Sequence, residues 1–89
     1  MIATLEISHY PLRDDYEADI INFIKELKKK KGIIVITNAM STQVKGEYDE
    51  VVAIVFGSLK KIFDRGVMSS TIIKLIPRDL PIEAITLDL

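Results

Sequence analysis

Two stretches of helical periodicity, each closed by a glycine, interrupt a chain that otherwise reads as strand. That alternation constrains the fold more than any other feature. In the first stretch, RDDYEADIINFIKELKKKKG, Tyr16, Ile20, Phe23, Ile24 and Leu27 recur at helical spacing and predict one buried stripe. Asp14 is the predicted N-cap, with Glu17 three residues later completing a capping box. Lys28 to Lys31 crowd the last turn, where cations suit the helix dipole, and Gly32 supplies a left-handed stop. The second stretch, EYDEVVAIVFGSLKKIFDRG, places Tyr48, Val52, Val55, Phe56, Leu59, Ile62 and Phe63 on a predicted inner face, and Gly66 closes it. Gly57 lies inside this helix, where glycine costs roughly 1 kcal/mol against alanine, so close packing is predicted there.

The remaining segments alternate or run β-branched. IATLEISHY sets Ala3, Leu5 and Ile7 against Thr4, Glu6 and Ser8, the pattern of a half-buried strand, and Pro11 ends it. IIVIT, STQVKG and VMSSTIIKLI supply three more strands. The order is βαββαβ, which predicts an α+β, ferredoxin-like two-layer sandwich: a four-stranded antiparallel sheet with two helices on one face and the other face open. At 89 residues the chain suits one such domain, residues 1–77. Residues 78–89 form a C-terminal extension. Its two prolines bar a helix, and the alternation of Ile85, Leu87 and Leu89 offers a fifth strand at an edge of the sheet or against a neighbouring subunit.

Composition narrows the function. The formal net charge is −1, so no general basic field draws the chain to nucleic acid or anionic membrane. There is no cysteine, which removes disulfides and thiolate metal sites and suits a reducing compartment. The N-terminus lacks the pattern of a signal peptide, and no apolar run approaches a membrane span. A cytoplasmic protein is the expectation.

Catalytic patterns are missing as well. No phosphate-binding glycine loop is present. His9, the single histidine, shares the face of Leu5 and Ile7 and reads as a structural residue. Ser8 beside it points to the opposite face, so the two cannot form a nucleophile–base pair. Asp14, Asp15, Asp49 and Glu50 lie at helix starts, where the dipole accounts for them. The reading is a protein that is not an enzyme and carries no metal or cofactor. Its open face presents Thr4, Glu6, Ser8 and Tyr10, with Glu6 opposite Lys74 on the last strand, and whether Ser69 or Ser70 points outward depends on the register. A face so poor in aromatics does not suit RNA. It suits a small polar ligand or a partly polar dimer interface.

One neighbourhood is unusually polar. TNAMSTQVKGEYDE gathers Asn38, Ser41, Thr42 and Gln43 between two apolar segments. Read alone, these side chains satisfy backbone groups at an irregular turn. Two motifs add a second reading. EISHYPL (6–12) resembles the first strand of the YkoF-related thiamine-binding proteins, with their E-x-S-x-Y-P-L pattern, and MSTQVKGEYDEV (40–51) resembles that family's M-S-T-x-[VI]-x-G-[DE] segment. The resemblance implies a non-catalytic, ferredoxin-like protein that binds thiamine or its hydroxymethylpyrimidine part, for storage, delivery or sensing, and associates through its sheets into a homodimer or homotetramer. By position it implies that Glu6, Ser8, Met40, Ser41 and Thr42 line the ligand site. His9 departs from the family's usual aliphatic residue, and the tail after Pro77 is longer than that resemblance leads one to expect. The alternatives are a homo-oligomeric interaction module and an ACT-like regulatory domain for another small metabolite.

Overall fold

The computed structural model describes residues 1–83. Its elements are β1 (Ile2–Pro11), α1 (Tyr16–Lys28), β2 (Ile34–Thr37), β3 (Thr42–Glu47), α2 (Tyr48–Asp64) and β4 (Ser69–Ile76). The sheet order is β2-β3-β1-β4 with every neighbouring pair antiparallel. This is the predicted ferredoxin-like α+β arrangement. Alternation along β1 drives it: Ala3, Leu5 and Ile7 are almost fully buried and meet Phe23 and Leu27 of α1 and Val51, Val55, Leu59 and Ile62 of α2. Each such large aliphatic side chain contributes about 1.5–3 kcal/mol on burial. Gly32 and Gly66, just beyond the two helices, adopt φ of +90° and +86°, as their stop positions require.

Both helices are rotated or anchored differently from the sequence expectation. Asp15, not Asp14, is the N-cap of α1, and it makes no side-chain capping bond. The first turn is instead tied by the Arg13 guanidinium, which donates from Nε to Asp19 at 2.6 Å. Asp19 is therefore buried beside Phe23 and Leu27, while Tyr16 remains 47% exposed. In α2 the buried arc is Val51, Val55, Ser58, Leu59 and Ile62, and Phe56 and Phe63 face solvent. This helix carries more apolar residues than one contact face can cover, and the sheet takes the arc centred on Val55 and Ile62.

Gly57 does not mark close packing, since a Cβ there would meet nothing within 4 Å. The crowded glycine is Gly46 on β3, where a Cβ would lie 3.0 Å from Ile33 Cγ2 and 3.1 Å from Val51 Cγ2.

The open face is covered at Thr4 and Lys45 by the chain itself. Beyond Pro77 the backbone returns across the sheet. Thr4 Oγ1 donates to the Arg78 carbonyl at 2.8 Å and accepts from the Leu80 amide at 3.2 Å. Lys45 Nζ donates to the Leu80 carbonyl at 2.8 Å and pairs with Asp79 at 2.9 Å and Glu83 at 3.2 Å. Thr4 and Lys45 are thus buried although they belong to the open face. Among the described residues the extension adds no strand, and the alternating run Ile85, Leu87 and Leu89 lies outside them. No helix among the described residues is long and apolar enough to cross a membrane.

Candidate functional site

Strand β1 is longer than its ladder with β3. That pairing stops at Ile7↔Thr42, whereas the pairing with β4 continues to Pro11↔Ser69. The overhanging end of β1, the turn between β2 and β3, and the first turns of α1 therefore surround a space that no strand fills. It is a cavity of about 290 Å³, bounded by Ser8 to Pro11 on β1, Tyr16, Ile20 and Phe23 on α1, and residues 37–42 of the turn. Small-molecule pockets run from roughly 300 to 1,000 Å³, so the space sits at the small end of that range.

Of the five residues singled out in the sequence, Ser8, Met40, Ser41 and Thr42 line this cavity. Glu6 does not, but Ser41 Oγ donates to its Oε2 at 3.0 Å, across 35 positions of sequence. Glu6 also pairs with Lys74 at 3.4 Å, the cross-strand partner that alternation predicts. The hydroxyl of Thr42 belongs to the helix-facing side, where it lies 3.1 Å from that of Thr37, so it approaches the space from the face opposite Glu6. Met40 is 85% exposed at the turn. The register also resolves the two serines of β4: Ser70 pairs with Tyr10 on the open face, and Ser69 pairs with Pro11 on the helix face.

The polar cluster at the turn divides into two roles. Asn38 holds the turn itself. Its Oδ1 accepts from the Met40 and Ser41 backbone amides at 2.9 and 3.2 Å, and its backbone N–H donates to the Ser41 carbonyl at 3.1 Å. Gln43 Nε2 donates to Ser41 Oγ at 2.6 Å. Ser41 is thereby held between an amide donor and a carboxylate acceptor. A hydroxyl whose proton is committed to Glu6 presents its remaining lone pair in a set direction, a condition for selecting a ligand by hydrogen bonds.

Sequence reasoning missed the helical wall. Tyr16 and Ile20 read as core stripe, yet the first turns of α1 lie beyond the β3 ladder and face the cavity, whose floor is Phe23, a core residue as expected. The length of β1 past its family-like serine was the signal that could have located them. His9 proves only partly satisfied. Its Nδ1 lies 2.9 Å from Thr71 Oγ1 and its ring packs on Phe23 with centroids 5.1 Å apart, but the buried Nε2 has no partner among the described residues. Burial lowers the His9 pKa, against the opposing pull of the Asp19 carboxylate. Among the described residues no group of carboxylates and histidine is placed to hold a metal ion.

Comparison with known proteins gives the site a context. The model of the YKOF-related Family matches residues 2–75. None of the curated proteins matches the chain. Among solved structures, a hypothetical protein of Methanocaldococcus jannascii superposes with a TM-score of 0.74 at 22% identity, covering 88% of this chain and 81% of its own. A Streptococcus pneumoniae protein gives 0.78 at 19% identity, with 90% of each chain covered. A Thermotoga maritima protein, assigned provisionally to thiamine biosynthesis or salvage, gives 0.70 at 16% identity, with 88% and 85% covered. At these identities the likeness is one of fold.

Proposed function

The chain belongs to the YKOF-related Family, and on that footing we propose that it is a non-catalytic binding protein for thiamine or its hydroxymethylpyrimidine part. The observation that carries this reading is the Ser41–Glu6 hydrogen bond at the edge of a cavity also lined by Ser8, Met40 and Thr42. An aminopyrimidine has ring nitrogens that accept and an exocyclic amine that donates. Serine and threonine hydroxyls answer either, and the Glu6 carboxylate, which does not border the cavity, acts on the ligand through its hydrogen bond with Ser41. Met40 provides a thioether to pack on the ring. A site of this kind rejects molecules without matching groups, because each buried hydroxyl left unpaired costs about 1–3 kcal/mol. The provisional assignment of the Thermotoga maritima protein to thiamine biosynthesis or salvage is consistent with this ligand class.

The role is binding, in storage, delivery or sensing, in the cytoplasm. The protein self-associates as a homodimer or homotetramer through the part of the open face that its own extension leaves bare, where Ile72 is 62% exposed. Calorimetric titration of the folded protein with thiamine and with hydroxymethylpyrimidine tests the ligand. Saturable heat with either is expected, and none from either at millimolar concentration overturns the proposal.

A further inference from the structure

The chain has three tyrosines, three phenylalanines, one histidine and no tryptophan. Four of those rings, Tyr10, Tyr16, Phe23 and His9, line the one cavity at the end of β1. Their exposures grade from inside to outside. Phe23 and His9 are 1% and 8% exposed and form the floor, while Tyr10 and Tyr16 are 53% and 47% exposed and stand at the rim. The two rim rings come from different elements, Tyr10 near the end of β1 and Tyr16 at the start of α1, and both line the cavity.

The electrostatic setting has one sign. Among the described residues no lysine or arginine lines the cavity. Tyr16 lies between Asp15 and Glu17 in the chain, with Asp14 preceding them. Arg13, the nearby cation, is engaged by Asp19. His9 adds no positive charge near neutrality, because burial disfavours its protonated form. An aromatic-rich cavity with no cation of its own, next to a run of acids, attracts positive charge. Aromatic rings stabilise a cation through their quadrupole, and delocalised or quaternary cations are the least costly to desolvate for that contact.

We infer that this cavity is selective for a cationic nitrogen heterocycle, with the ligand's positive ring held at the rim between Tyr10 and Tyr16. The inference rests on the thiamine or pyrimidine reading and divides its two candidates. Thiamine carries an N-alkylated thiazolium joined to its aminopyrimidine, whereas free hydroxymethylpyrimidine is neutral at pH 7. The pyrimidine takes the hydroxyl side at Ser41, and the thiazolium meets the tyrosines. A phosphate on the ligand gains nothing, as no basic side chain lines the space to receive it.

The test is calorimetry on the full chain at pH 7.5 with thiamine, hydroxymethylpyrimidine, the neutral 4-methyl-5-hydroxyethylthiazole and its N-methyl salt. Thiamine binds at least about 10-fold tighter than hydroxymethylpyrimidine, and the N-methyl salt binds tighter than the neutral thiazole. Tyr10→Leu and Tyr16→Leu each weaken thiamine by about 5- to 30-fold, the range for a partly desolvated cation–ring contact. They leave hydroxymethylpyrimidine within about 2-fold, a floor set by the same range. Tyr10→Phe and Tyr16→Phe keep the ring and retain thiamine affinity, and they control for folding. Equal affinity for thiamine and hydroxymethylpyrimidine, or equal loss of both ligands in the leucine variants, overturns cation selectivity while the binding reading stands. No binding of either compound overturns both.

Discussion

Ser41 at the end of the β2–β3 turn donates its hydroxyl proton to Glu6 on β1 at 3.0 Å, while Gln43 donates to the same hydroxyl at 2.6 Å. This relay links the open face of the sheet to the cavity at its end. It also gives Glu6 a route to the ligand although its side chain does not border the space. Glu6→Gln removes the charge and keeps the shape. The expected result is thiamine binding weakened by roughly 10-fold or more, as for loss of a hydrogen bond to a charged group. Thermal melting should stay within a few degrees, about the shift that a surface substitution produces. Unchanged affinity would place the ligand elsewhere.

The two interior glycines make opposite predictions. Gly57→Ala adds a methyl group to open space in a helix and should stabilise by roughly 0.5–1 kcal/mol. Gly46→Ala drives a methyl against Ile33 and Val51 at 3.0 and 3.1 Å and should destabilise by about 1–3 kcal/mol. Chemical denaturation of the two variants checks both signs. The pair also shows where sequence reading stops. Periodicity placed Gly57 inside a helix, but whether the outer or inner side of that helix carried it depended on which of two overlapping apolar arcs the sheet would select.

The same limit governed the site. Alternation on β1 was enough to pair Glu6 with Lys74 and to send Leu5 and Ile7 inward. The turn motif was enough to single out Ser41 and Thr42. Legibility failed wherever a position depended on the mismatch between strand lengths. The β3 ladder ends at Thr42 while β1 runs on to Pro11, a difference that shows only when the lengths of the two strands are set side by side. Tyr16 and Ile20 therefore read as core when their helix turns border a cavity. The extension was equally opaque, because the contacts of Thr4 and Lys45 with residues 78–83 span more than thirty positions of sequence.

Thr4→Val tests that clasp. It leaves the Leu80 amide and the Arg78 carbonyl without their shared hydroxyl, and a loss of about 1–2 kcal/mol is expected. Hydrogen exchange should accelerate at Leu80 and Ile82 and stay unchanged at Leu27 and Val55. Uniform acceleration throughout the chain would show that the clasp is not a local element.

Acid should weaken the fold in two steps. The folded His9 resists protonation relative to its ordinary value of 6.5. Between that value and its lowered folded pKa, the unfolded chain binds a proton that the folded chain does not. Stability is therefore fully present above about pH 6.5, the ordinary histidine value, and falls as the pH drops below it. The carboxylates act later. Hydrogen bonds from Lys29 and Lys61 hold Glu26 at about 2 against an ordinary 4.5, and Arg13 lowers Asp19, so their contribution is lost only as the pH falls below the ordinary carboxylate range. Denaturation midpoints at pH 8, 5.5 and 3.5 resolve the two steps. His9→Gln should abolish the first and keep the second, and persistence of the first step in that variant would exclude His9 as its source.

The central claim is that a thiamine-class ligand occupies the space between the overhang of β1, the start of α1 and the β2–β3 turn. Amide NMR spectra recorded during thiamine titration measure this most directly. Saturable shifts are expected, concentrated at Ser8, His9, Tyr10, Tyr16 and residues 38–42, with Lys45 and Leu80 unmoved. Shifts centred on the Thr4–Lys45 end of the sheet, or no shifts at millimolar thiamine, would contradict it.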